Sequence, residues 1–595
     1  MILTSLINPG HNPETPALHY LADDKTGKWD SISNRELWTS VIHAAAGLHA
    51  LNLGVQHCLG ILSENRPEVI MTYFAAFRLR AVPVSIYSTS STEQVRFITA
   101  DAKISHIVVG SQKHYDMARA AGIRQIIAID PSIRFDSNDN SSITFHQLVE
   151  TGKAASETAL SEIEKRCDSA ETDDIATLIY TSGTTGEPKG AILTHANFDA
   201  ALEIHRERLP EVRPGMTSMC FLPLSHIFEM AWTCFCLYRD VEIYVNQDPQ
   251  RVQQSLRETQ PNCMCAVPRF WEKVYTGVNE KIASLNVFKR MMMRRALKIG
   301  HQRNIVYKRV GTKVPWLLEH QYQFYRKHLF NALRHVIGME RGMFFPTAGA
   351  PIAPEIVTFV RSVGINMIVG YGLSETTATV SCFPHTGYEI GSVGTPLRDV
   401  MVKIGPNDEV LVKGPTVMRG YYNRPEATAE AFTADGWFRT GDAGRIDESG
   451  AITLTDRIKD LFKTSNGKYI APQAIESCLG TDPIIEQVAV IGDRRKFVTA
   501  LIVPAMETLK EFAEKAKIKY NSIQELLENE QVHAHIQSRI DKLMVNFAPY
   551  ERVKRFTLLS VPFAMETGEL TNTLKLRRPV VNSRYADIIA AMYSY

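Results

Sequence analysis

The sequence lacks the features that most quickly fix a protein's class. No apolar run reaches the length of a membrane span. The nearest, Met219 to Tyr238, is broken by Pro223, His226 and Glu229 and reads as interior. There are only 9 cysteines, an odd number. Cys234/Cys236 and Cys263/Cys265 lack the Cys-x-x-Cys spacing of zinc sites, so no such centre is expected. On strands each pair would point to one face, and buried reduced thiols in a cytosolic protein fit this usage. The opening residues carry no basic leader and soon meet Pro9-Gly10, so no secretory signal is expected. No internal repeat, low-complexity tract or P-loop spacing G-x-x-x-x-G-K-[ST] is found. Charge of one sign is also missing. Lys and Arg total 66 against 64 Asp and Glu, a formal +2, which gives no overall bias toward nucleic acid.

What is present points to a large soluble protein. The 595 residues are too many for one core, so at least two domains are expected. Composition is ordinary, 45% hydrophobic and 22% charged. The charge is uneven. Lys273 to Arg341 holds 15 Lys and Arg against 3 Asp and Glu, a net +12, so the rest of the chain sums to −10. Up to about residue 170, strand-like runs (Cys58 to Leu62, Val82 to Ile86, His106 to Val109, Gln125 to Ile129) alternate with helical ones (Arg35 to Leu51, Pro67 to Leu79). That alternation predicts a mostly parallel α/β sheet.

The chain is organised around residues 177–190. A buried strand, Ile175 to Tyr180, opens into a loop containing Thr181, Ser182, Gly183, Thr184, Thr185, Gly186, Pro188, Lys189 and Gly190. Glycines let the backbone approach a ligand, successive amides can form an anion nest, hydroxyls add neutral donors and Lys189 adds charge. The pattern suits a polyphosphate, although alone it also describes a polar surface turn. Thr194 reads as the cap of a helix running to Leu209. Further on, Leu222-Pro223-Leu224-Ser225-His226-Ile227-Phe228-Glu229 places a histidine that, by itself, reads as packed core. Thr347-Ala348-Gly349-Ala350-Pro351 precedes the strand Ile365 to Val369, followed by Gly370-Tyr371-Gly372-Leu373-Ser374-Glu375-Thr376. A strand ending in Gly-Tyr-Gly offers an aromatic face where open α/β sheets bind ligands, and Glu375 has the oxygen donors of a hard divalent cation. Asp442, ending Trp437-Phe438-Arg439-Thr440-Gly441-Asp442, can accept from two vicinal hydroxyls. Asp456-Arg457-Ile458-Lys459-Asp460 reads as a domain boundary. A smaller mixed region follows, with two helices between Met506 and Val545.

These segments, in this order, resemble the adenylate-forming superfamily of acyl- and aryl-CoA synthetases, peptide-synthetase adenylation domains and firefly luciferase. The likeness spans essentially the whole chain. The segments Leu222 to Glu229, Val267-Pro268-Arg269-Phe270-Trp271-Glu272-Lys273-Val274 with its long insert, and Leu570-Thr571-Asn572-Thr573-Leu574-Lys575-Leu576-Arg577 are similar to the long-chain fatty-acid–CoA ligases. Many relatives place Gly before this lysine, where Leu574 stands here.

The resemblance implies a large N-terminal α/β domain of stacked sheets (1–458, insert about 273–341) and a smaller, mobile α+β domain (459–595). It implies ATP-dependent activation of a long- or medium-chain fatty acid to acyl-AMP, then transfer to CoA with release of AMP. Thr181 to Lys189 would cradle phosphates. Mg²⁺ would lie near Glu375 and Thr184, and Lys575 would neutralise developing charge. Tyr371, with the backbone of Gly349 and Ala350, would pack on adenine, Gly370, Gly372 and Thr376 would also bind ATP, and Asp442 and Arg457 would hold the ribose hydroxyls. Lys459 would be the hinge. His226, Phe228 and Trp232 would belong to the acyl pocket. The protein is expected to be cytoplasmic. Its basic insert, with Trp316, Tyr322, Phe324, Tyr325 and Phe330 as an aromatic surface, reads either as a face touching an anionic membrane or as a solvated helical hairpin packed on the domain. Two rival readings share these residues: a fatty-acyl-AMP ligase that loads a carrier protein, and a silent membrane-associated scaffold.

Overall fold

The computed structural model describes residues 2–7, 12–23, 26–181, 187–458, 460–465, 469–571 and 575–594. The strand-helix alternation of the first third supplies seven strands of an eight-stranded sheet, whose eighth, Gly420–Tyr421, lies at its edge. Its middle strands Val82–Ile86, Cys58–Leu62 and His106–Val109 pair in parallel, and every residue in them is buried. Both faces are covered, which is why these strands are continuous apolar runs and not alternating ones. The helix Pro67–Arg78 begins on proline, where the missing N–H has no intrahelical partner to lose.

The strand β1 (Ile175–Thr181) continues this sheet, and β2 (Lys189–Thr194) folds back antiparallel to it, with Thr181 opposite Lys189. Thr194 then caps the helix His195–Arg208, accepting from the Asn197 amide at 3.3 Å, while the Asn197 side chain accepts from the Thr194 amide at 2.9 Å. This reciprocal capping box stops the strand and starts the helix on the same residue.

A second layer contains Thr217–Cys220, Glu242–Val245, Phe345–Thr347 and β3 (Met367–Tyr371). Residues Cys263 and Ala266 form bridges that join its two halves. The helix α1 (Ile227–Tyr238) and the helices Pro67–Arg78 and His195–Arg208 contribute Phe74, Phe77, Phe198 and Phe235 to one core shared by both layers. The insert is helical, comprising α2 (Pro268–Ser284), α3 (Val287–His301) and α4 (Trp316–Tyr325), with π-helical stretches after α3 and α4. Two long strands, β4 (Phe438–Ile446) and β5 (Ile452–Arg457), close an antiparallel four-stranded sheet.

Beyond residue 460 the chain builds its own sheet, with Ile485–Ile491 antiparallel to Val498–Pro504 and the latter parallel to Val553–Leu558. Two apolar clusters here draw only on residues from Phe462 onward, and those before them only on residues up to Leu454.

Two local expectations change. Cys234 and Cys236 lie on α1, a helix, because an unbroken apolar run has no period to distinguish helix from strand. The region between Met506 and Val545 holds three helices, Met506–Lys515, Ile523–Leu527 and Glu530–Leu543. The short middle one is started by Ser522, whose hydroxyl accepts from the Glu525 amide.

Candidate active site

The end of β1 and the start of β2 line a cleft of about 2860 Å³ whose walls come from both the large N-terminal part and the C-terminal part. Thr181 and Lys189 line it, while the predicted loop residues Ser182, Gly183, Thr184, Thr185 and Gly186 lie outside the described residues. Lys189 Nζ stands 5.3 Å from the centre of the Tyr421 ring. Tyr421 reaches this point because Gly420–Tyr421 pairs with β2 as an edge strand. Its phenol donates to Glu375 Oε1 at 2.9 Å. One tyrosine therefore joins Lys189, at the start of β2, to a carboxylate nearly two hundred residues later in the chain.

Glu375 follows the end of β3 on a short 3₁₀ turn, Ser374–Thr376. Thr377 and Ala378 take left-handed backbone, φ 50° and 60°, an uncommon conformation for residues bearing a Cβ. The Thr377 hydroxyl holds it by donating to the Thr416 carbonyl at 2.8 Å. Gly372 meets this returning chain so closely that a Cβ would strike the Ala378 backbone. Gly349, Ala350, Gly370, Tyr371 and Gly372 line the cleft as predicted positions. Thr376 does not. It is fully buried, and its hydroxyl accepts from the Leu373 amide at 2.9 Å, closing the turn from inside.

The register of β4 and β5 sets Asp442 opposite Arg457. Arg457 Nε lies 3.4 Å from Asp442 Oδ1, and the Tyr371 phenol donates to Oδ2 at 2.5 Å. Asp442 is almost buried, and burial raises its pKa above the usual carboxylate value against the opposing pull of Arg457 and the Tyr371 hydrogen bond. Burial and then Asp442 push the Tyr371 phenol well up, so it stays a donor.

Lys575 comes from the C-terminal part. Leu570 and Leu576 form an antiparallel bridge. Thr571 donates its amide to the Lys575 carbonyl at 2.8 Å, and the Lys575 amide donates to the Thr571 hydroxyl at 3.0 Å. This folded-back segment lies against the same cleft as Asp442, Arg457 and Glu375. The side chain stays open to solvent, yet it is ringed by protein. Desolvation in the cleft, then the Arg457 charge, lower its pKa to about 8, against the pull of Asp442, Asp460 and Glu375.

His226 caps α1, its Nδ1 accepting from the Phe228 amide at 3.2 Å, and both residues line the cleft. Burial first, then the nearby Lys575, lowers the imidazole to about 4, so it is neutral near pH 7. Trp232 is not brought to the cleft. It points into the core, donates to Ser218 Oγ at 3.0 Å and packs on Phe235 and Phe344. On α1 it lies about four residues on from Phe228, but the helix end that faces the cleft is already behind it.

Sequence reasoning missed several groups. Tyr421 and the Arg439–Glu409 pair, at 3.1 Å, line the cleft through strand pairings that no local motif announces. Glu229 closed a motif but received no role. It is fully buried, accepts from the Leu222 amide at 3.0 Å, and leaves Oε1 without a partner among the described residues. Burial pushes it up to about 8, so it holds its proton at neutral pH and braces the turn that carries His226. Arg269, at the start of α2, donates to the Glu486 carbonyl at 2.7 Å and ties the two sides of the cleft together. Lys459 lies outside the described residues.

Comparison with solved structures identifies the fold. The adenylation domain of a carboxylate reductase from Mycobacterium chelonae superposes with a TM-score of 0.75 at 21% identity, covering 100% of this chain and 91% of that one. An anthranilate CoA ligase in complex with anthranoyl-AMP superposes with a TM-score of 0.72 at 16% identity, covering 99% and 98%. Residues 8–422 match the model of the AMP-binding enzyme family, and residues 459–595 match its C-terminal domain. The long-chain-fatty-acid–CoA ligase FadD15 of Mycobacterium bovis is 31% identical over 96% of this chain and 93% of its own length. The peroxisomal long chain acyl-CoA synthetase 7 of Arabidopsis thaliana is 28% identical over 92% and 79%. The chain belongs to the AMP-binding enzyme family and, within it, groups with the long-chain fatty-acid–CoA ligases.

Proposed function

We propose that the protein activates a long- or medium-chain fatty acid with ATP and transfers the acyl group to CoA. The observation that carries this reading is the meeting of Lys575, from the far end of the chain, with Asp442, Arg457 and Glu375 in one cleft. In the first half-reaction a carboxylate oxygen bonds to the α-phosphorus and the bond to pyrophosphate breaks. The carboxylate is already a nucleophile, so the protein's task is positioning and charge neutralisation.

Most of the predicted residues have a role in this reading, but the core residue Trp232 and the buried Thr376 have none. The turn 181–189 holds the β- and γ-phosphates, with Thr184 and Lys189 contributing. Tyr371, with the backbone of Gly349 and Ala350, packs on adenine, and the paired Asp442 and Arg457 take the ribose hydroxyls. Lys575 neutralises the α-phosphate and the incoming carboxylate as charge develops. Glu375 suits Mg²⁺, because Tyr421 occupies Oε1 while Oε2 has no hydrogen bond among the described residues. Mg²⁺ keeps several waters and binds through one or two carboxylates plus substrate phosphates. When bound it would offset phosphate charge. The neutral His226 and Phe228 stand at the mouth of the acyl pocket.

In the second half-reaction the CoA sulfur bonds to the acyl carbon, the carbon–oxygen bond breaks, and AMP leaves while the thiol proton passes to solvent. Lysine and CoA need the same face of the acyl-AMP. We therefore assign residues 1–458 and 459–595 to two domains, with rotation about Lys459 between the steps. Separate apolar cores on either side of this boundary support the division. The Arg269–Glu486 hydrogen bond would hold the first arrangement and break on rotation.

ATP–pyrophosphate exchange, run with a panel of medium- to long-chain acids with and without CoA, tests the assignment. Acid-dependent exchange together with CoA-thioester product is expected. Exchange without thioester would favour a carrier-protein acceptor, and no exchange at all would favour a silent scaffold.

A further inference from the structure

The helical insert has a face that the proposed chemistry leaves unused. Between Lys281 and Met339 the only acidic residue is Glu319, and it is paired with Arg303 at 2.7 Å. Both α3 and the stretch from α4 into its π-helical continuation bury one side against the same segment. Gly300 packs so tightly on the Ser362 carbonyl that a Cβ has no room, and the Tyr322 hydroxyl leaves none at Gly364. Tyr322 and Phe330, read from sequence as part of an aromatic surface, are in fact buried there.

The outer sides therefore point away from this segment together. On α3, Phe288, Met291, Arg295 and Lys298 recur at three- and four-residue spacing and share one exposed face. On the α4 stretch, Leu317, His320, Phe324 and Lys327 do the same. Trp316 is 75% exposed, Phe288 63% and Phe324 54%. Lys289, Arg294, Arg295, Lys298, Lys313 and Lys327 form no ion pair among the described residues.

Large exposed side chains of this kind are costly in water unless something covers them. A surface that pairs aromatic and aliphatic side chains with unneutralised lysine and arginine fits the boundary of an anionic bilayer. There the apolar groups enter the acyl region and the cations meet headgroups. No helix among the described residues is long and apolar enough to cross a membrane, so contact of this type lies along the surface. We propose that the outer face of the α3–α4 hairpin docks on an anionic lipid bilayer. The purpose of such docking rests on the fatty-acid reading. The N-terminal turns of α2, Pro268 to Val274, line the cleft, and its other end leads straight to the Phe288 face. Docking would bring the cleft to a substrate that partitions into membranes.

Co-sedimentation of the full chain with vesicles of phosphatidylcholine alone, or with one quarter phosphatidylglycerol, tests the proposal. The protein is expected to sediment with the anionic vesicles at low salt and to be released by high salt. Reversing charge at two exposed positions, R295E with K298E, is expected to weaken binding by about tenfold or more. A second variant, W316S with F324S, should lose binding while the charge is kept. Both variants should retain pyrophosphate exchange with a soluble medium-chain acid. That control shows the fold is intact and separates failure of docking from failure of the catalytic reading. Binding indifferent to lipid charge, or equal in wild type and both variants, would overturn the proposal. So would a wild-type dimer that the variants split, or retention of RNA in place of vesicles.

Discussion

Lys575→Ala is expected to lose ATP–pyrophosphate exchange by about 10²–10³-fold, the scale of removing one well-placed donor to developing charge. The same variant should still convert supplied acyl-AMP and CoA to thioester, because the lysine is needed only where the carboxylate meets the α-phosphate. Glu375, Asp442 and Arg457 remain in the cleft without it, so substrate binding should suffer less than turnover. The wild-type pH profile carries a second signature. Lys575 must be charged to neutralise the phosphate, and its pKa is lowered to about 8. The first half-reaction, measured as kcat/KM for ATP, should therefore be full below this value and decline as pH rises through it. Loss of both half-reactions to the same extent, or exchange that survives, would contradict the role given to Lys575.

Lys459→Pro is expected to show the opposite pattern, with exchange retained and thioester formation from supplied acyl-AMP reduced on the order of a hundredfold. The residue itself lies outside the described set, but its flanks are informative. The Ile458 amide donates to the Gly441 carbonyl at 2.9 Å, anchoring the end of β5, and Asp460 already faces the cleft near Lys575. Any rotation of the C-terminal part must be absorbed within this short connection. Proline fixes φ near −65° and also restricts the residue before it, so it should lock one arrangement. If the present arrangement is the adenylating one, with Lys575 in the cleft, the locked enzyme makes acyl-AMP but cannot present it to CoA. Together the two variants separate positioning by the lysine from rotation at the hinge.

Much of the scaffold was legible because its signals are local. Apolar strands bounded by turn residues gave Cys58–Leu62 and Val82–Ile86 to the residue, and Thr194 was readable as a cap from its hydroxyl and the helix that follows. Most of the predicted site residues outside the undescribed positions line one cleft. What escaped was set by pairing between distant segments. Tyr421 reaches Glu375 only because an edge strand docks on β2, and Arg269 meets Glu486 only across the cleft. Depth was equally invisible. Trp232 and Phe228 are four residues apart on α1, yet one is core and the other lines the cleft. In the insert, aromatic content gave no sign that Tyr322 would turn inward while Trp316 turned outward, since that depends on where Gly364 sits.

The central claim is that a carboxylate is activated by direct attack on the α-phosphate of ATP, and one isotope experiment tests it. A fatty acid labelled with heavy oxygen in its carboxylate is turned over with ATP and CoA, and the products are weighed by mass spectrometry. Attack at the α-phosphorus leaves one labelled oxygen bridging to the nucleotide, so thiolysis should release AMP carrying a single heavy oxygen and pyrophosphate carrying none. Label in inorganic phosphate or pyrophosphate, or AMP without label, would contradict the account.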